Sequence, residues 1–239
     1  MDRRKVLISF CGPNSSELYY FDSRGSRISD IASKSLYELI VTNHRVKNQN
    51  LIIEVRPLEL TTFASLLEYI KNFDGHISRL VTNVGFVDFT PKKRILLEEH
   101  RSTCERLGIE YEEKVVEKSY TLSNGERCDL HSIHYKDSFI KLIARHFSHI
   151  SDIIFLSTPA NFDNREYWER IRPESFFRGI QETNKFLNRL IKQIPNTSMI
   201  DLEDIRTFDG VHWDSHYHVE VFKRLNEHER RRYSTRENI

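Results

Sequence analysis

The residues best suited to chemistry lie in segment 198–218, SMIDLEDIRTFDGVHWDSHYH. Asp209 stands three residues before His212, with Gly210 and Val211 between them. A carboxylate at that spacing can accept the imidazole Nδ1–H, fix its tautomer and stabilise its charged form, so that the histidine serves as a general base. A different chemistry is open at the same place. His212, His216 and His218 lie close together with Asp209 and Asp214, and His212 and His216, four apart on a helix, would share a face as zinc ligands do. Cys11, Cys104 and Cys128 are odd in number, widely spaced and without a C-x-x-C pair. They suit neither a disulfide framework nor a zinc site, and each reads as a small, partly buried apolar residue.

The elements that must position these groups alternate in type, which predicts an α/β fold. Strands are expected at 6–10, 18–21, 50–55, 77–84, 152–159 and 198–202. Helical spacing of apolar residues covers 28–41, a segment from Thr61 or Thr62 to about Ile70, 137–147, 173–194 and 218–228. Residues 91–107 also read as a helix, with Pro91 in its first turn and Gly108 just past its end. Asn124-Gly125 between two alternating stretches is a hairpin signal, so a β-hairpin is expected as an insertion at about 112–134. No repeat or long linker breaks the pattern. A single domain over 1–228 is expected, followed by a charged, flexible tail at 229–239.

Composition narrows the classes. The 239 residues carry 36 Lys and Arg against 35 Asp and Glu, a formal net charge of +1. That balance argues against a dedicated nucleic-acid binder, despite the basic stretch ERRRYSTRENI at the end. No apolar run approaches the roughly 18–20 residues that span a bilayer. The apolar stretch before Gly12-Pro13 is too short for a signal-peptide core, so a cytoplasmic protein is expected.

The order of these features resembles the SGNH/GDSL-type hydrolases. The stretch YYFDSRG at 19–25 is similar to the first sequence block of that family, a strand running into Asp-Ser and a loop. LVTNVGFVDF at 80–89 is similar to the third block, Gly-x-Asn-Asp, with Gly85 and Asp88 on its first and last positions. Asp209-Gly210-Val211-His212 before a closing helix is similar to the last block. The resemblance implies a three-layer, flavodoxin-like frame with a mostly parallel sheet. It also implies a Ser23, Asp209 and His212 triad, with Ser15 or Ser16, after strand 6–10 and Gly12-Pro13, as the alternative nucleophile. No cofactor is implied, and the substrate would be an O-acyl ester such as an acetylated carbohydrate. Asn83, Gly85 and Asp88 would contribute to the oxyanion hole or the substrate site, and Arg24 and Arg56 could hold an anionic substrate. The chain departs from the family pattern at three places. Phe21 precedes Asp22-Ser23 where the family has Gly, residues 54–62 contain no Gly, and Val87 stands where the family has Asn. A catalytically impaired binding or assembly protein on the same frame is therefore the alternative, with the inserted hairpin as a homo-oligomer edge or a lid.

Overall fold

Five short apolar runs form one parallel sheet. In a computed structural model, which describes residues 5–11, 52–58, 62–73, 77–163, 165–168, 171–207, 210, 213 and 215–236, they are β1 (Lys5–Cys11), β2 (Ile52–Leu58), β3 (Ile77–Thr82), β7 (Asp152–Leu156) and β8 (Thr197–Ile200). Their spatial order is β2-β1-β3-β7-β8, every pair parallel. Counted among themselves, this is the order 2-1-3-4-5 of the flavodoxin-like, doubly wound class. The strand at 18–21 and the helix at 28–41 expected from the sequence lie outside the described residues.

Alternation along the strands builds the layers. Leu80, Ile153 and Phe155 face one core, while Val81, Ile154 and Leu156 face the other. A two-residue period on each strand gives this split, and both faces are buried because helices cover them. Helices α1 (Phe63–Lys71), α4 (Asp137–Phe147) and α5 (Glu174–Gln193) supply the first core, and α6 (Ser215–Arg236) covers the second with Val221 and Leu225. Thr62 starts α1 with a capping box: its Oγ1 accepts from Ser65 N–H, and Ser65 Oγ accepts from Thr62 N–H.

The insertion between β3 and β7 is larger than the expected hairpin. It contains α2 (Phe86–Phe89), β4 (Lys92–Lys93), a 3-10 turn at Arg94–Leu97, α3 (Glu98–Leu107), the hairpin β5 (Tyr111–Thr121) and β6 (Arg127–Tyr135), and α4. The helix expected over 91–107 is thus corrected to begin at Glu98. Lys92 and Lys93 pair with His131 and Leu130 of β6, forming a β4-β6-β5 sheet. That pairing overrides the local propensity of the first half. Glu98 and Glu99 then suit the positive end of α3, and Gly108, at φ 62°, closes it in the left-handed conformation. Strand β2 runs a few residues beyond the expected 50–55. The closing helix runs past 228 to Arg236, because its Glu- and Arg-rich continuation favours helix and pairs Arg231 with Glu227 one turn apart. Cys104 and Cys128 are free thiols. No helix among the described residues is long and apolar enough to cross a membrane.

Candidate functional site

In a doubly wound sheet, ligands gather outside the carboxyl ends of the strands, at the point where strand order reverses. Here that point lies between β1 and β3. Chain 12–16, with Ser15 and Ser16, leaves the end of β1 and lies outside the described residues, as do Ser23 and Arg24. Arg56 is on β2, paired in register with Ser9. Beyond β3 come half-buried Asn83 and then Gly85, which opens α2 at φ 120°. A Cβ at Gly85 would sit 2.8 Å from Phe63 Cε2 and 3.0 Å from Thr183 Cγ2, so only glycine fits this turn.

Asp88 is fully buried. Its carboxylate accepts the Phe63 N–H at 3.1 and 3.3 Å, at the start of α1, and a short hydrogen bond from the Tyr135 hydroxyl of β6. Burial pushes its pKa up to about 7, against the pull of Tyr135, Phe63 N–H and Lys92. The Tyr135 hydroxyl is pushed well above its ordinary value by burial and by Asp88. Asp88 therefore ties the β3 turn to α1 and β6 instead of opening onto the cleft. Val87, beside it, is a buried apolar residue. Beneath the same turn, His100 lies 3.2 Å from both Thr62 Oγ1 and Cys104 Sγ. Burial lowers His100 to about 4 and raises Cys104 to about 12, so both are neutral and packed. Their i, i+4 spacing on α3 was the only sequence signal for this cluster.

The carboxyl ends of β7 and β8 are laced together. Ser157 Oγ accepts the Leu202 N–H at 2.7 Å. Asn184 of α5 accepts from Thr158 N–H at 2.8 Å and donates to Thr158 O at 2.9 Å and to Glu203 Oε1 at 3.2 Å. Asn161 pairs in parallel with Arg206, and Thr207 pairs antiparallel with Trp213. Asp209 and His212, between Thr207 and Trp213 in sequence, lie outside the described residues. Gly210 is buried at φ 85°, and a Cβ there would come within 2.7 Å of Trp168 Cζ3 and 3.2 Å of Phe176 Cε1.

An aromatic wall packs against Gly210. Phe176 meets Phe86 edge-on at 5.9 Å, and Trp168 lies 6.0 Å from both Phe162 and Phe177. An open cavity of about 690 Å³ adjoins it, lined by Asn161, Phe162, Arg165, Glu166, Glu203 and Asp204. Sequence reasoning missed the wall. Its signal was the clustering of Phe162, Trp168, Phe176 and Phe177 in and beyond an otherwise polar connection. One helix organises all three edge segments: α5 touches the loop after β8 through Phe176, the loop after β7 through Asn184, and the turn after β3 through Gly179 and Thr183.

His218, in the first turns of α6, is 8% exposed and packs 5.2 Å from the Trp213 ring. Its Nδ1 is buried without a hydrogen-bond partner among the described residues, and burial lowers its pKa to about 4. Of the three clustered histidines, His212 and the His216 side chain lie outside the described residues. No group of three His, Cys, Asp or Glu suited to a metal gathers among the described residues. Arg224 anchors α6 to the edge through a two-pronged bond to Asp204, 2.7 Å on each side, and through Asp201 O at 2.9 Å. That bond lowers the Asp204 pKa and raises that of Arg224.

No family model and no curated protein matches the sequence. Among solved structures, the chain is similar to an alpha/beta hydrolase from the metagenome of Lake Arreo, Spain, at 11% identity over 92% of this chain and 93% of that one, with a TM-score of 0.49. It is also similar to an acetylxylan esterase from Geobacillus stearothermophilus, at 10% identity over 94% of each chain, with a TM-score of 0.47. Both likenesses are shallow, and the activities of those proteins remain their own.

Proposed function

We propose that the chain is a serine esterase or O-acyltransferase of the SGNH/GDSL type, with Ser23, His212 and Asp209 as its triad and an O-acyl ester, such as an acetylated carbohydrate, as its substrate. One observation carries the reading. Thr207, Gly210 and Trp213, which flank Asp209 and His212 in sequence, follow the last strand of a 2-1-3-4-5 parallel sheet, with Thr207 paired to Trp213. That edge is where this class of sheet keeps its chemistry. Ser23 Oγ attacks the acyl carbonyl while His212 takes its proton, and Asp209 holds the imidazole in the tautomer that allows it. Collapse of the tetrahedral species expels the alcohol, which His212 protonates. Water or a sugar hydroxyl then takes the acyl group from the serine by the same steps. Asn83, at the end of β3, is a candidate oxyanion donor, and Asp88 serves by fixing the Gly85 turn. Arg24 and Arg56 are candidates for holding an anionic substrate.

A second reading has its own support. Val87 is buried and apolar at the position where an asparagine donor would stand, and losing one such donor typically costs about 100–1,000-fold in rate. A binding protein on the same frame would need none. Hydrolysis of p-nitrophenyl acetate separates the readings. Saturable turnover that resists a chelator and falls about a thousandfold or more in His212→Ala, with an unchanged thermal midpoint, supports the triad. Turnover no faster than buffer supports the binding protein, and turnover lost to a chelator moves the chemistry to a metal.

A further inference from the structure

The inserted hairpin and α5 enclose a second cavity, of about 510 Å³. One wall is apolar, made by Phe89, Val115 and Val116. Val115 is 44% exposed, an unusual position for a valine on a strand otherwise rich in charge. Three cations share the lining: Lys114 from β5, and Arg178 and Lys185 from α5. Glu182 is the one carboxylate in the lining, bound by Lys185 at 2.8 Å. Lys114 reaches Glu112 at 3.1 Å, and both groups are more than half exposed. Arg178 makes no ion pair among the described residues.

The floor is polar and buried. Ser132 Oγ lies 3.0 Å from His134 Nε2. Ser175 is 4% exposed, and its hydroxyl has no hydrogen-bond partner among the described residues. Its backbone N–H is already taken by Glu117 Oε1 at 3.1 Å, a bond that ties the hairpin to the start of α5. A buried hydroxyl without a partner is costly, and native structures seldom keep one without a use. Gly179 also lines the cavity. It lets α5 close onto the backbone of α2, where a Cβ would sit 2.5 Å from Phe89 O.

We propose that this cavity binds a phosphate monoester carrying an apolar group, with Arg178, Lys114 and Lys185 on the phosphate and Phe89, Val115 and Val116 on the organic part. Lys114 and Lys185 each hold a carboxylate, and Arg178 holds none among the described residues, so the lining keeps one uncompensated positive charge for the phosphate. Phosphate oxygens only accept hydrogen bonds, and Ser132, Ser175 and Arg178 can all donate. The apolar wall separates this ligand from free phosphate, which gains nothing there. The inference is independent of the hydrolase reading and needs no turnover.

The test is calorimetric titration of the full chain with phenyl phosphate, and with benzoate and inorganic phosphate as comparisons. One saturable site per chain is expected for phenyl phosphate, with weaker binding of both comparisons and further weakening at about 0.5 M salt. Arg178→Gln and Lys185→Gln, both exposed positions, should each weaken it about tenfold, while Lys223→Gln on α6 should not. Ser175→Ala should weaken binding without lowering the thermal midpoint, because it removes an unpartnered hydroxyl from the free protein. Absence of saturable phenyl phosphate binding overturns the proposal. So does wild-type affinity in both Arg178→Gln and Lys185→Gln, or benzoate binding as tight as phenyl phosphate.

Discussion

Two buried titratable residues give the molecule opposite responses to pH, and each can be isolated by one substitution. The Asp88 pKa is raised in the folded state, so folding favours its protonated form. Its contribution is greatest near pH 4 and is lost as pH rises towards 7. Asp88→Asn keeps an acceptor for Phe63 N–H and removes the charge. The wild type should lose stability relative to this variant, on the order of a few kcal/mol, as urea midpoints are measured from pH 4 up to 7.5. An unchanged difference across that range contradicts the burial argument. His218 runs the other way. Its folded pKa is lowered to about 4, so its contribution is intact above the unfolded value near 6.5 and is lost as pH falls below it. His218→Phe, packed on Trp213, should reduce that acid-side loss to the share buried His100 contributes over the same window, and leave the neutral-side slope alone. The sequence marked Asp88 as a site residue because it sits three residues after Gly85. It could not reveal that Phe63 N–H and the Tyr135 hydroxyl, 25 and 47 positions away, meet its carboxylate. Chemistry legible in a local motif was settled by partners that only the fold supplies.

At the scale of elements, α5 is the beam on which the site is hung. Its clean apolar period made it readable, as did that of α4, whose bounds are those the spacing predicts. The hairpin was equally legible, since Asn124-Gly125 carries a left-handed glycine at φ 80° in a short connection. Residues 91–97 were not, because Lys92 and Lys93 obey a pairing with β6 almost forty residues on, and no local propensity encodes that contact. The crossing of α5 over α2 is equally silent in sequence and depends on Gly179. Gly179→Ala should cost about 1–3 kcal/mol in chemical unfolding, since the new methyl meets backbone that cannot rotate away. A neutral result would mean that α5 can slide, and that the three loops it touches are less firmly held than the contacts imply.

Across the whole molecule, the insertion and the parallel sheet share one core. Ile133 and Tyr135 of the hairpin pack in the same cluster as Leu80, Ile153 and Phe155 of the sheet. Unfolding should therefore be a single transition, with far-ultraviolet dichroism and tryptophan fluorescence coincident. Ile133→Val and Ile153→Val should move the same midpoint by similar amounts, about 0.5–1.5 kcal/mol. Two separate transitions would make the hairpin a unit of its own. The parallel order 2-1-3-4-5 puts the carboxyl ends of β1 and β8 at the same edge of one sheet. The central claim is that a serine at the front of the chain and a histidine near its end work together there. Mass mapping of a fluorophosphonate adduct tests it most directly. The account predicts one adduct per chain on Ser23, absent in Ser23→Ala and strongly slowed in His212→Ala. An adduct that persists in Ser23→Ala, or labelling unaffected by the loss of His212, would contradict it.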